Sequence, residues 1–201
     1  MRFLPLMNLK VLRLAGFFGI IAPIFGLLIV ASSVWLSPWF SWTGNALSDI
    51  GGSAGFEAIV FNSGLAMVGA LLMMFSTGLF EMTKGDMLGQ VGGTMFLIAS
   101  ILLIAIGVIN ITIEPWHKYV SVGFFVALPL SVIIIGAFLL RKKMKFYALL
   151  SFGTAILAAG MWFLPWSAVA IPEALSVGYI AVWEILLGFW MFKRYEDKLE
   201  E

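Results

Sequence analysis

The chain of 201 residues is 62% apolar and 11% charged, and it contains no cysteine. An average soluble domain has roughly 25% charged and about 45–50% apolar residues, so this chain could not cover its apolar surface in water. The composition and the formal charge of +1 exclude a soluble enzyme, a disulfide-stabilised secreted protein, a disordered chain and a nucleic-acid binder. Solid apolar runs, in place of short alternating segments, predict an all-α polytopic membrane protein.

Six apolar segments are long enough to cross a bilayer, which takes about 20 residues of helix. Charges, prolines and glycines separate the segments. The six segments together predict a single transmembrane domain over residues 1–201, built as a bundle of six helices. The spans are predicted near residues 14–35, 59–79, 89–111, 120–140, 146–163 and 175–192.

Lysine and arginine are unevenly divided between the two ends of these spans. Eleven of the twelve precede the first span, lie in the second and fourth loops or follow the sixth span, and the other side has only Lys118. Short cytoplasmic loops are enriched in Lys and Arg. The bias therefore predicts a multi-pass protein of the cell membrane with both termini in the cytoplasm.

Acidic side chains mark the side that the basic residues avoid. Asp49, Glu57, Glu114 and Glu173 lie there, and Glu184 lies near the middle of the sixth span. A charged group at the bilayer centre costs about 2.5–3.5 kcal/mol even on a lenient scale, so such acids must line water, pair, hold a proton or bind a cation. Helical periodicity places Glu173 and Glu184 on one face, which is predicted to point into the bundle.

The first loop on this side, residues 36–57, is long for a connection between neighbouring helices, and long ordered loops are usually functional. Within it, the sequence predicts a short helix that begins at Thr43 as the N-cap and ends at Gly51 in a left-handed conformation. Such a helix would hold Ser48 and Asp49 over the bundle.

The third loop on the same side leads into the fourth span through His117, with Ser121 one helical turn later. Histidine and serine at this spacing, with an aspartate elsewhere, are the components of a hydrolase triad, although no nucleophile elbow precedes Ser121. The candidate catalytic residues are Ser48, Asp49 and His117.

Several carboxylates with amide and hydroxyl oxygens favour a hard divalent cation, namely Mg²⁺, Ca²⁺ or Mn²⁺. Zn²⁺ fits less well, because the chain has one histidine and cannot form a multi-histidine site. A water on such an ion could act as a nucleophile near the lipid headgroups. The predicted metal ligands are Asp49, Glu57, Glu114, Glu173, Glu184 and His117.

The segment Leu47-Ser48-Asp49-Ile50-Gly51 after the first span, together with His117, resembles a prokaryotic six-span family known as domain of unknown function number nine hundred and ninety-eight. More distantly, the Ser-Asp-x-Gly loop is similar to that of the Frag/DRAM/Sfk group, some of whose members are linked to lipid remodelling. The resemblance implies the six-span architecture and identifies Ser48, Asp49 and His117 as family-type positions.

The leading functional hypothesis is a divalent-cation site in an outward-facing acidic cavity, used in metal-assisted hydrolysis or group transfer on a lipid or amphiphile. A cation or proton transporter that uses Glu173 and Glu184 is the first alternative, and a non-catalytic assembly or lipid-packing protein is the second. Membrane lipids are the expected partners. Turnover and homo-oligomer formation stay open at this point.

Overall fold

The structure, a computed structural model, describes residues 8–197 and is all-α throughout that range. Arg2 and Lys198, which contribute to the predicted charge bias, lie outside the described residues. A short 3-10 turn covers Met161–Phe163, between the last two helices. The helices are α1 (Leu9–Trp35), α2 (Ser48–Gly51), α3 (Phe56–Met82), α4 (Met87–Val108), α5 (Trp116–Arg141), α6 (Lys145–Gly160) and α7 (Ala170–Asp197).

The six predicted spans are confirmed as helices that are long and apolar enough to cross a membrane. Most extend beyond their apolar segments, because a helix continues until its end groups are capped. Thus α1 begins at Leu9, where the Asn8 side chain accepts hydrogen bonds from the next turn. In contrast, α4 ends at Val108, three residues before the predicted end of its span.

The long helices form a closed ring in which each packs against the next, and α7 returns to pack against α1. Three buried aromatic rings lie at the centre of this ring. Phe75 packs edge-on against Phe96 and Trp183, with ring centroids 5.5 and 6.1 Å apart. The Trp183 Nε1–H donates a 2.7 Å hydrogen bond to Ser151 Oγ, which satisfies the one polar atom of the indole.

The contact between α1 and α7 depends on glycine. A Cβ atom on Gly16 would lie 2.5 Å from the Gly188 carbonyl oxygen and 2.6 Å from the Phe192 amide nitrogen. Gly19 also approaches Gly188 closely, with 3.2 Å between the position of its missing Cβ and the Gly188 Cα. Small residues allow two membrane helices to bring their backbones together in this way.

At the basic end of the bundle, Asp86 joins the α3–α4 turn to the end of α5. Its carboxylate accepts a hydrogen bond from the Gly89 amide at 3.3 Å and lies 3.4 Å from Lys142 Nζ and 3.8 Å from Arg141 Nη1. Burial alone would raise the pKa of Asp86, but the Gly89 amide and the two cations hold it below its ordinary value. Lys84, in the same turn, pairs with Glu81.

Candidate functional site

The opposite end of the bundle contains an open groove, because α6 is too short to cover its neighbours there. Helix α6 ends at Gly160 and gives way to the 3-10 turn, while α5 and α7 extend past it. The uncovered space has a volume of about 540 Å³. We call it the α5–α7 groove; its walls include Val122, Phe125, Val126, Leu130, Trp162 and Phe163.

Polar side chains occur at only one end of the described lining of this groove. Lys118 and Ser121 come from the first turns of α5, and Glu173 comes from the first turn of α7. From there α5 continues along the groove as far as Ile133 with apolar side chains. The groove therefore has one polar end and an otherwise apolar length, which is also the arrangement of a lipid molecule.

His117 is fixed in orientation and in tautomer at the polar end. The side chain is 5% exposed, and its Nδ1 lies 2.6 Å from the carbonyl oxygen of Ile109. A carbonyl oxygen can only accept a hydrogen bond, so Nδ1 carries the proton and Nε2 of the neutral ring is an acceptor. Ile109 is the C-cap residue of α4, so its carbonyl has no helical donor and can accept from the imidazole.

Ser121 contacts the free nitrogen of this histidine, as the one-turn spacing predicts. Its Oγ lies 3.3 Å from His117 Nε2, and the same residue lines the groove. The result is a hydroxyl, a base and a group that orients the base, which is the arrangement of an activated nucleophile. The third group is the Ile109 carbonyl, and the structure does not bring Asp49 into hydrogen-bond contact with His117.

Asp49 instead stabilises its own loop. Its Oδ2 accepts hydrogen bonds from Asn45 Nδ2 at 3.1 Å and from the Ala46 amide at 2.9 Å. The predicted helix from Thr43 to Gly51 is wrong in extent, since only the last four residues are helical and Gly51 is not left-handed. The reason is tertiary: the Asn45 carbonyl accepts from the Ala170 amide at 3.1 Å and is not available to a helix.

Ser48 is buried at the start of α2 and lines a small internal cavity. Its Oγ makes no hydrogen bond within residues 8–197. Next to it, the Leu47 amide donates a 2.7 Å hydrogen bond to Glu173 Oε2. Successive amides of this loop therefore bond to two of the predicted acids, Asp49 and Glu173, and tie α2 to the beginning of α7.

The remaining predicted ligands are spread over the bundle. Glu57 accepts a 2.7 Å hydrogen bond from Ser53 Oγ at the start of α3, Glu114 is exposed in the loop before α5, and Glu184 is buried in the middle of α7. In the part of the chain that the structure describes, no three or more histidine, aspartate or glutamate side chains are grouped closely enough to hold a metal ion.

Lys118 and Ser121 are not among the predicted catalytic or metal-binding residues, although both line the groove. The one-turn spacing to His117 is the sequence signal for Ser121. For Lys118, the signal is that it is the single basic residue on its side of the spans.

One comparison with known proteins gives a match. The family described as Protein of unknown function (DUF998) matches residues 20–190, which include most of the six long helices. No curated protein and no solved structure matches the chain.

Proposed function

We propose that this chain, which belongs to the DUF998 family, acts on a membrane lipid or similar amphiphile, with Ser121 as nucleophile and His117 as general base. One observation carries the proposal. The Ser121 hydroxyl both lines an amphipathic groove and contacts the free nitrogen of a histidine whose orientation and tautomer are fixed.

The shape of the groove favours an amphiphile as the substrate. Its α5 wall runs from Lys118 to Ile133, which is about 22 Å of helix at 1.5 Å per residue. That length covers most of a hydrocarbon core about 30 Å thick, so an extended chain could lie along it. A headgroup would then lie between the Lys118 ammonium and the Glu173 carboxyl, beside Ser121.

The chemistry proposed is acyl transfer from an ester. As Ser121 Oγ attacks the ester carbonyl carbon, His117 Nε2 takes the hydroxyl proton and then donates it to the leaving alcohol. Water or a second alcohol, deprotonated by the same nitrogen, releases the acyl group and restores Ser121. The Ile109 carbonyl stabilises the transient imidazolium, and Lys118 supplies positive charge at the end of the groove where negative charge develops.

Other predictions rest on the sequence. The cytoplasmic location of both termini rests on the bias of Lys and Arg, and it would make the polar end of the groove face outward. The divalent cation stays a prediction that this chemistry does not require. Similarity to the Frag/DRAM/Sfk group agrees with a lipid substrate and also stays a prediction. A cation or proton transporter is favoured by the cavities beside Glu173 and Glu184.

The test combines covalent labelling with ester turnover by the detergent-solubilised full chain. A fluorophosphonate with a long alkyl chain should label Ser121 of the wild type, as located by mass spectrometry of peptides. Ser121→Ala should abolish labelling, and His117→Ala should slow it about 10²–10⁴-fold through loss of the base. Ser63→Ala is the matched control, because Ser63 is an exposed helical serine whose hydroxyl donates to the carbonyl four residues earlier.

Turnover is followed with p-nitrophenyl esters of increasing acyl length. The groove predicts a rate that rises with chain length in the wild type and in Ser63→Ala. The proposal is overturned if the wild type is neither labelled nor active on any ester, or if Ser121→Ala and the wild type behave alike.

A further inference from the structure

Two small cavities extend inward from the α5–α7 groove. The first, about 70 Å³, is lined by Ser48 and shares Ser121, Phe125 and Glu173 with the groove. The second, about 100 Å³, lies deeper and contains Glu184. The two cavities are neighbours, because five wall residues belong to both: Val30, Leu65, Leu103, Phe124 and Val177.

Glu184 lines the deeper cavity without a partner. The residue is 4% exposed, and its carboxyl makes no hydrogen bond or ion pair with any other residue in the range 8–197. The cavity walls from α1, α3, α4 and α5 carry no titratable side chain among the described lining residues, and neither does the rest of the α7 wall. The acidic group nearest along α7 is Glu173, at the boundary between the first cavity and the groove.

Helix α1 forms one wall of the same cavity. Pro23 of α1 lines it, one turn after Gly19. One turn after Glu184 along α7, the close contact of Gly188 with Gly16 and Gly19 fills the space between α1 and α7. The cavity is therefore approached from the groove end of the bundle.

The groups around Glu184 determine which kinds of ligand could bind there. A bare carboxylate in an apolar cavity is costly, and either a proton or a cation relieves that cost. Ca²⁺ and Mg²⁺ need about six or more oxygen ligands, which one carboxyl among aliphatic walls does not provide. A primary alkylammonium ion has an apolar body for the walls and N–H donors for the Glu184 carboxylate.

We propose that Glu184 binds a small primary alkylammonium ion in exchange for its proton. The ammonium ion enters and pairs with the carboxylate, and the carboxyl proton leaves to solvent, so charge is conserved in the cavity. A volume of about 100 Å³ admits about three or four heavy atoms at roughly 30 Å³ each, which corresponds to ethyl- or propylammonium. This site is separate from Ser121 and does not depend on ester turnover.

The test is calorimetric titration of the solubilised full chain with n-propylammonium chloride in two buffers of different ionisation enthalpy. The wild type should bind one ion and release about one proton, and 1-propanol should bind at least tenfold more weakly. Glu184→Gln should lose at least tenfold in affinity and all of the proton release. Glu57→Gln, which changes a carboxyl at the surface end of α3, should match the wild type.

Gly26→Ala provides a second variant that leaves Glu184 in place. Gly26 lines the cavity, and a Cβ there would make ordinary 3.6 Å contacts with Val68, so the fold should tolerate it. The added methyl should shift the preference from propylammonium towards methylammonium. Absence of binding to the wild type, equal binding to Glu184→Gln, or equal affinity for 1-propanol would overturn the proposal.

Discussion

Replacing Glu173 by leucine should detach the loop around α2 from α7. Glu173 Oε2 accepts the Leu47 amide at 2.7 Å, and Leu47 itself is buried. Leucine would leave that amide without its acceptor, which costs about 1–3 kcal/mol. For a chain of this size, 1 kcal/mol corresponds to about 2–4 °C in Tm, so the expected fall is about 2–12 °C.

Glu173→Gln is the matched variant, because its side-chain carbonyl can still accept from the Leu47 amide while the charge is lost. Thermal unfolding in detergent should place it within about 2 °C of the wild type. Hydrogen exchange should show faster exchange of residues 45–51 in Glu173→Leu alone. If both variants are as stable as the wild type and exchange alike, the Leu47–Glu173 bond does not hold the loop.

Two further predictions concern the framework. Because the pKa of Asp86 is lowered, its contacts stabilise the fold above the ordinary pKa of an aspartate, and this stabilisation is lost as pH falls through the lowered pKa. Between about pH 5 and 3, the Tm of the wild type should therefore fall more than the Tm of Asp86→Asn. Equal pH dependence of the two proteins would contradict this assignment. Gly188→Ala should lower the free energy of unfolding by about 1–3 kcal/mol, because its Cβ would lie 2.9 Å from the Gly16 carbonyl oxygen. Gly178→Ala on the same helix is the control: its Cβ would meet no atom within 4 Å, so this change should be neutral or slightly stabilising. Thermal unfolding of this pair measures the α1–α7 contact, and similar Tm values would show that the contact can relax.

The six helices follow from the sequence because a membrane span is a local property. About 20 apolar residues satisfy their backbone groups within one helix and need no partner to define them. The one-turn relation between His117 and Ser121 is local in the same sense, since helical periodicity alone puts them on one face. The depth of Glu184 also follows from its position within an apolar segment.

The extent of the short helix in the first loop is not determined by its local sequence. Thr43 and Gly51 are good helix-end residues, yet the Asn45 carbonyl and the Leu47 amide bond to residues of α7 more than a hundred positions away. The acidic residues share one side of the spans, and this shared side predicts that they form one cluster. A shared side of the spans does not by itself bring side chains into contact, and the packing of the helices places Glu57, Glu114 and Glu184 apart.

Residue type and helical repeat suffice to predict the six spans, the charge bias and the candidate acids. Three features emerge from the packing of the helices: the Ile109 carbonyl orients His117, a short α6 leaves a groove beside Ser121, and Glu184 faces a cavity. Each of these depends on how separate helices and the loops between them pack, and residue spacing along one helix carries no information about that packing.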